Sequence, residues 1–199
     1  LMGKPPKPAS GLFKQQLKKR RLKPHEFQAR MDRISGTLDY AGLQNSQVII
    51  EAIPENMELK KNVFKELESV VQKDCIIASN TSALSITEMA TALRQPERFI
   101  GMHFFSPVNR MPLVEVIPGK HTTNESIASI MALAKKMGKT PILVKDCPGF
   151  LINRILIPYV NEAIYLLEDG LSIKAIDACA RDFGLPLGPL ELADEVGLD

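Results

Sequence analysis

The sequence predicts an α/β fold: a largely parallel sheet with helices on its faces, followed by the start of an all-helical domain. Two observations carry this. From Val48 to Val144, short continuous apolar runs alternate with longer segments of helical period, as in strands buried on both faces and joined by crossover helices. After Asp146 the pattern changes, and nothing further reads as a strand.

The first 47 residues form a basic, polar lead-in. Leu12, Phe13, Leu17, Leu22, Phe27 and Met31 are spaced broadly as on one helical face, with a break near Pro24. Lys14, Lys18, Lys19, Arg20, Arg21 and Lys23 cluster there. Such a cluster can attract phosphates or an acidic partner. A solvated helix face is the preferred reading, because no aromatic residues are interleaved for base stacking.

Val48-Ile49-Ile50 is the first strand. Residues 58–72 carry Leu59, Val63, Phe64, Leu67, Val70 and Val71 at helical spacing, and Cys75-Ile76-Ile77-Ala78 is the next buried run. Ser85-Ile86-Thr87-Glu88 is a capping box whose hydroxyl and carboxylate satisfy free N–H groups at a helix start. That helix runs to about Leu93 and stops before Pro96. Residues 99–105 and 113–117 read as strands, 124–137 as a helix, and Ile142-Leu143-Val144 as the last strand. Residues 151–168 form a long, nearly all-apolar helix and 173–183 another. The change at Asp146-Cys147-Pro148-Gly149-Phe150 places a boundary there: residues 1–145 form one domain, and 146–199 begin a helical second one that stops mid-pattern.

Composition narrows the classes. Of 199 residues, 45% are apolar and 24% charged, ordinary for a globular protein with a real core. The net charge of +2 argues against nucleic acid or a membrane surface as the main partner. Cys75, Cys147 and Cys179 show no CxxC or Cys/His ligand spacing, which points to a reducing compartment without disulfides or a zinc site. No apolar run approaches the roughly 20 residues that span a bilayer. The opening Leu1-Met2-Gly3-Lys4 is not followed by the apolar stretch of a signal peptide. No internal repeat is present.

In open parallel sheets, ligands bind outside the carboxyl ends of the strands. Polar residues gather at those ends: Glu51, Glu55 and Asn56 after the first strand, Ser79-Asn80-Thr81-Ser82 after the second, and His103 on the third. Each alone has a plain alternative. The serine–threonine run is turn chemistry before a capped helix, Glu55 and Lys60 are an exposed charge arrangement, and a lone histidine is a satisfied buried imidazole. Glu115, inside the apolar run Leu113-Val114-Glu115-Val116-Ile117, raises the standing of His103. A buried carboxylate needs a partner, and a neighbouring strand's histidine supplies one. A carboxylate on one imidazole nitrogen fixes the tautomer and makes the other nitrogen a general base for an alcohol. Two alternatives stay open: a His–Glu pair that only locks two strands, and a Ser82–His103–Glu115 hydrolase triad. No GxSxG elbow surrounds Ser82 to support the triad.

Four segments together resemble the 3-hydroxyacyl-CoA dehydrogenases: residues 79–82, Gly101-Met102-His103-Phe104-Phe105-Ser106-Pro107-Val108, residues 112–117, and Asp146-Cys147-Pro148-Gly149-Phe150-Leu151-Ile152-Asn153-Arg154. The likeness runs in family order from about Leu12 to the last residue. Residues 110–115 look more like the dehydrogenase part of multifunctional fatty-acid oxidation alpha subunits than like the single-function enzymes. The resemblance implies a Rossmann-like sheet, NAD as cofactor, and oxidation of (3S)-3-hydroxyacyl-CoA to 3-ketoacyl-CoA in fatty-acid β-oxidation. His103 is the implied base, Glu115 its orienting partner, and Ser82 and Asn153 the groups on the reacting oxygen and substrate. Glu55, Lys60, Asn80 and Ser82 match cofactor-contacting positions. Ser106 also faces the cofactor or substrate in this reading, and stands where many members have asparagine. Residues 184–189 match the helical domain that closes over the acyl chain and makes the dimer contact. The implied partners are acyl-CoA and a second copy or a fatty-acid oxidation complex. The implied compartment is the cytoplasm of a bacterium, or a mitochondrion or peroxisome of a eukaryote.

The family's opening strand, GxGxxG turn, helix and acid-tipped second strand are not among these 199 residues. Without that turn no helix N-terminus receives a pyrophosphate, and strands that flank the missing one have unpaired edges. The expectation is weak NAD binding by this stretch alone. A non-catalytic acyl-CoA-binding or assembly remnant of the same fold is the alternative from another class. A related hydroxyacid or sugar-acid dehydrogenase is the alternative within the enzymes.

Overall fold

The computed structural model describes residues 7–40 and 42–197. The expectations placed on Leu1-Met2-Gly3 and on the terminal Leu198-Asp199 lie outside the described residues. The chain divides into two compact units, one of residues 1–46 with 70–72, the other of 47–69 with 73–199.

The first unit holds α1 (Lys7–Lys18) and α2 (Pro24–Met31). Pro24 suits the first turn, where its missing N–H has no partner to lose. The Lys23 N–H donates to the Glu26 carboxylate at 2.7 Å, and this bond holds Glu26 below the usual carboxylate range. The Arg30 guanidinium lies 5.8 Å from the Phe13 ring centroid. All six residues of the basic cluster are exposed.

The second unit contains β1 (Val48–Glu51), α3 (Met57–Val70), β2 (Ile76–Ser79), α4 (Ile86–Ala90), β3 (Phe99–Phe104), β4 (Leu113–Pro118), α5 (Asn124–Lys136) and β5 (Thr140–Leu143). After these come α6 (Ile152–Glu168), α7 (Ile173–Phe183) and α8 (Pro189–Val196). The strands lie side by side in chain order, parallel except for the antiparallel pair β3–β4. Residues 105–112 are too few for the dozen or so that a parallel crossover needs, so the chain must reverse there.

Alternation along the strands sorts the two faces. Ile100 and Met102 of β3 and Val114 and Val116 of β4 pack with Ile130 and Ala134 of α5 in a buried cluster. The opposite face carries Phe99, Gly101 and His103 of β3 with Glu115 and Ile117 of β4. There Phe99 meets Phe64 of α3 edge-on, with ring centroids 4.7 Å apart. Gly101 is required by close packing: a Cβ on it would stand 2.8 Å from Ile86 Cδ1 and 2.9 Å from Ile117 Cβ. Gly101→Ala should therefore destabilise the unit by about 1–3 kcal/mol, measured as a lower urea midpoint with unchanged m-value.

Three details depart from the sequence reading. The first strand is not buried on both faces: β1 pairs with β2 alone among the described residues, and Ile50 is 38% exposed. The capping box is half formed. Ser85 Oγ accepts from the Glu88 N–H, but the Glu88 carboxylate bonds Lys61 at 2.9 Å, and Asp146 takes the N–H groups of Ile86 and Thr87. The last helix, α8, had no expectation; eight residues give too short a periodicity. The buried Asp177 accepts the Leu190 N–H at 2.9 Å and so caps it. Gly188 makes this possible, since a Cβ there would lie 2.2 Å from Asp177. No helix among the described residues is long and apolar enough to cross a membrane.

Candidate active site

The carboxyl ends of β1 and β2 and the adjoining part of β3 gather the polar residues singled out above. His103 and Glu115 are directly opposed in the antiparallel register of β3 and β4, and His103 Nδ1 lies 2.8 Å from Glu115 Oε2. Glu115 is fully buried and His103 nearly so, at 7% exposed. The other carboxylate oxygen, Oε1, accepts the N–H groups of Leu151 and Ile152 at 2.9 and 3.0 Å, at the start of α6. Glu115 is thus an acceptor on both sides. That makes Nδ1 the donor and leaves Nε2 as the nitrogen able to accept a proton. Phe105 packs on the imidazole with centroids 4.5 Å apart, and Phe150 stands at 6.0 Å.

Asn153, in the first turn of α6, donates from Nδ2 to the Ser82 carbonyl at 3.0 Å. Ser82 donates its N–H at 2.7 Å and its hydroxyl at 3.1 Å to Glu55 Oε1, and the Thr81 hydroxyl donates to the same oxygen at 2.6 Å. Glu55 is partly exposed. Burial pushes its carboxyl up, but the bonds from Thr81, Ser82 and Lys60 together hold it below the usual carboxylate range. Asn80 Oδ1 accepts the Phe104 N–H at 2.9 Å, joining the end of β2 to the end of β3.

Lys60 is not an exposed charge. It is 1% exposed, and its Nζ lies 2.7 Å from Glu51 Oε1, 3.2 Å from Glu55 Oε2 and 3.1 Å from the Ile53 carbonyl. Glu51, also buried, further accepts from the Ser79 hydroxyl at 2.7 Å and the Ile53 N–H at 2.6 Å. Sequence reasoning named Glu51 and Ser79 among the polar strand ends but missed the bonds of Glu51 to Lys60 and to Ser79. The available signal was a glutamate ending an apolar strand and a serine ending the next, at paired positions. Ser106 stands apart: it is exposed just past β3, before a cis peptide to Pro107. No hydrogen bond among the described residues ties it to the cluster.

Residues 4–147 match the family model for the 3-hydroxyacyl-CoA dehydrogenase NAD binding domain, and residues 149–199 that for the C-terminal domain of the same enzymes. The chain belongs to the 3-hydroxyacyl-CoA dehydrogenase family. Its five-stranded, mostly parallel sheet followed by helices is the Rossmann-like arrangement expected of this family. Similar relatives include fatty acid oxidation complex alpha subunits from Acinetobacter baylyi and Psychrobacter cryohalolentis. Each is 48% identical over 191 residues, covering 96% of this chain and 27% of the relative. The chain therefore spans about a quarter of the length of these relatives. Among solved structures, the (S)-3-hydroxybutyryl-CoA dehydrogenase of Ralstonia eutropha superposes with a TM-score of 0.91 at 42% identity, covering 96% of this chain and 68% of that one. The 3-hydroxybutyryl-CoA dehydrogenase of Escherichia coli K12 gives 0.90 at 34% identity, covering 95% and 40%.

The placing of these polar residues fits a dinucleotide cofactor. A half-open, ionised carboxylate at Glu55 and the hydroxyls of Thr81 and Ser82 lie together beyond the carboxyl ends of parallel strands, where dinucleotides bind in such sheets.

Proposed function

We propose that this 3-hydroxyacyl-CoA dehydrogenase family chain takes part in NAD-dependent oxidation of (3S)-3-hydroxyacyl-CoA to 3-ketoacyl-CoA in fatty-acid β-oxidation. The observation that carries the reading is the buried His103–Glu115 pair. Its carboxylate is fixed at both oxygens, so the imidazole keeps one tautomer and offers Nε2 to the substrate. His103 removes the proton from the 3-hydroxyl. Glu115 orients the ring and balances its charge once protonated. Asn153 has a second amide N–H beyond the one given to the Ser82 carbonyl, suited to the oxygen that becomes a ketone. The Ser82 hydroxyl reaches the same oxygen if it exchanges its bond to Glu55.

NAD supplies the hydride-accepting chemistry when bound. Glu55, Asn80 and Ser82 line its nicotinamide side. Lys60 serves that side indirectly, holding Glu55 from beneath. The substrate domain begins at residue 146, where the sheet ends and the first helix of the second domain follows. A place in a fatty-acid oxidation complex fits the relatives' names, a homodimer is the alternative, and the relatives' bacterial origin supports action in the cytoplasm.

The test is NADH absorbance with the full-length protein, using 3-hydroxybutyryl-CoA with NAD and acetoacetyl-CoA with NADH. Turnover in both directions is expected. Binding of acyl-CoA without any turnover would favour the non-catalytic remnant instead.

A further inference from the structure

Segment 146–153 approaches the sheet from the α6 side and meets segment 82–87 leaving β2. The two are tied at both ends. At one end lies the Asn153–Ser82 bond. At the other, the Asp146 carboxylate accepts three donors: the Thr87 N–H at 2.7 Å, the Ile86 N–H at 3.0 Å and the Ser85 hydroxyl at 3.1 Å. Between the ties the backbone takes a conformation that it would not keep unaided. Gly149 has φ +73° and Phe150 φ +49°, and the left-handed region is an outlier for a bulky side chain. Such residues persist where their surroundings over-determine them. Phe150 is 1% exposed, with its ring turned toward His103. At Gly149 even a Cβ would stand 3.3 Å from that of Asn153.

The bend has a direct consequence for the base. Leu151 follows in the right-handed region, at φ −97° and ψ −53°. A left-handed residue followed by a right-handed one turns successive N–H groups into one concavity that holds an anion. Here the N–H groups of Leu151 and Ile152 hold Glu115 Oε1. Asn153 lies beyond the bend, on the helix, so it fixes the exit. Asp146 fixes the entry.

We propose that Asp146 is a positioning residue: its three-donor clamp on residues 85–87 sets the bend at Gly149-Phe150, and through it the seat of Glu115 against His103. The effect on turnover rests on the dehydrogenase reading; the effect on the imidazole does not. The test uses Asp146→Ala and Asp146→Asn in the full-length protein with 15N-labelled histidine. In Asp146→Ala, kcat for 3-hydroxybutyryl-CoA should fall by about 10- to 100-fold while KM stays within about threefold. The hydrogen-bonded Nδ1 proton resonance of His103, assigned by its loss in His103→Gln, should shift or broaden. Asp146→Asn keeps the shape and one acceptor, so it should restore part of both signals. Parental kcat and an unshifted resonance in folded Asp146→Ala would overturn the proposal. If that variant does not fold, the same result in Asp146→Asn overturns it. If the parent itself shows no turnover, the dehydrogenase reading fails, and the resonance alone decides the role of Asp146.

Discussion

Replacing His103 with glutamine should lower kcat for 3-hydroxyacyl-CoA oxidation by about 10²- to 10⁴-fold, the range a positioned general base supplies. Glutamine is the right probe because its amide can still donate to Glu115 Oε2, which His103 now holds at 2.8 Å. The buried carboxylate is not orphaned, so the folded state should survive. Alanine would confuse lost chemistry with an unpaired acid at a fully buried position. KM should change little, since removing a proton acceptor acts in the transition state more than on the bound substrate. A variant within tenfold of the parent would mean that the proton leaves by another route.

Glu115→Gln gives the complementary result. The two N–H groups of Leu151 and Ile152 hold the side-chain oxygen on their side, so the new NH₂ faces His103 Nδ1. Nδ1 must then accept, the proton moves to Nε2, and the nitrogen facing the substrate can no longer take a proton. The loss of kcat should approach that of His103→Gln despite an intact histidine. If instead the pair only locked two strands, both substitutions would lower stability and leave kcat alone.

The sequence made this pair legible because of one anomaly, a glutamate in the middle of an apolar strand, and one geometric rule, that such an acid needs a partner on a neighbouring strand. The strand–helix alternation was legible for a similar reason, since buried β runs and helical spacing are local patterns. What sequence did not reveal was long-range. Glu115 also receives α6, but backbone N–H groups 36 and 37 residues away leave no trace in residue identity. The hold of Asp146 on the first N–H groups of α4 is hidden for the same reason: it lies about 60 residues on. Lys60 reads as a surface lysine at a helix start, because only the folded chain places Glu51 beneath it. Ile50 is exposed although its run is apolar, since burial of a strand depends on its neighbours in the sheet.

Lys60→Met should destabilise the second unit by about 3–5 kcal/mol, the usual consequence of breaking a buried ion pair from one side. Lys60 and Glu51 are each about 1% exposed at the side chain. Methionine fills the space of the lysine stem, so little of the loss comes from packing. Glu51 would keep the Ser79 hydroxyl and the Ile53 N–H, but two neutral donors do not balance a desolvated charge. The double replacement Glu51→Leu with Lys60→Met distinguishes charge from shape. If the penalty arises from an uncompensated carboxylate, removing both partners should recover most of it, because an apolar pair of similar volume is often neutral. Urea titrations of the four proteins close the cycle. A single-variant loss below about 1 kcal/mol would mean that water reaches the pair in solution, as at an exposed salt bridge. Glu55 refines the argument. Its Oε2 lies 3.2 Å from Lys60 Nζ, so Lys60→Met also removes a cation from the carboxylate proposed to face the cofactor. If stability returns in the double variant but the KM for NAD stays raised, Lys60 has two separable roles, one in the core through Glu51 and one at the cleft through Glu55.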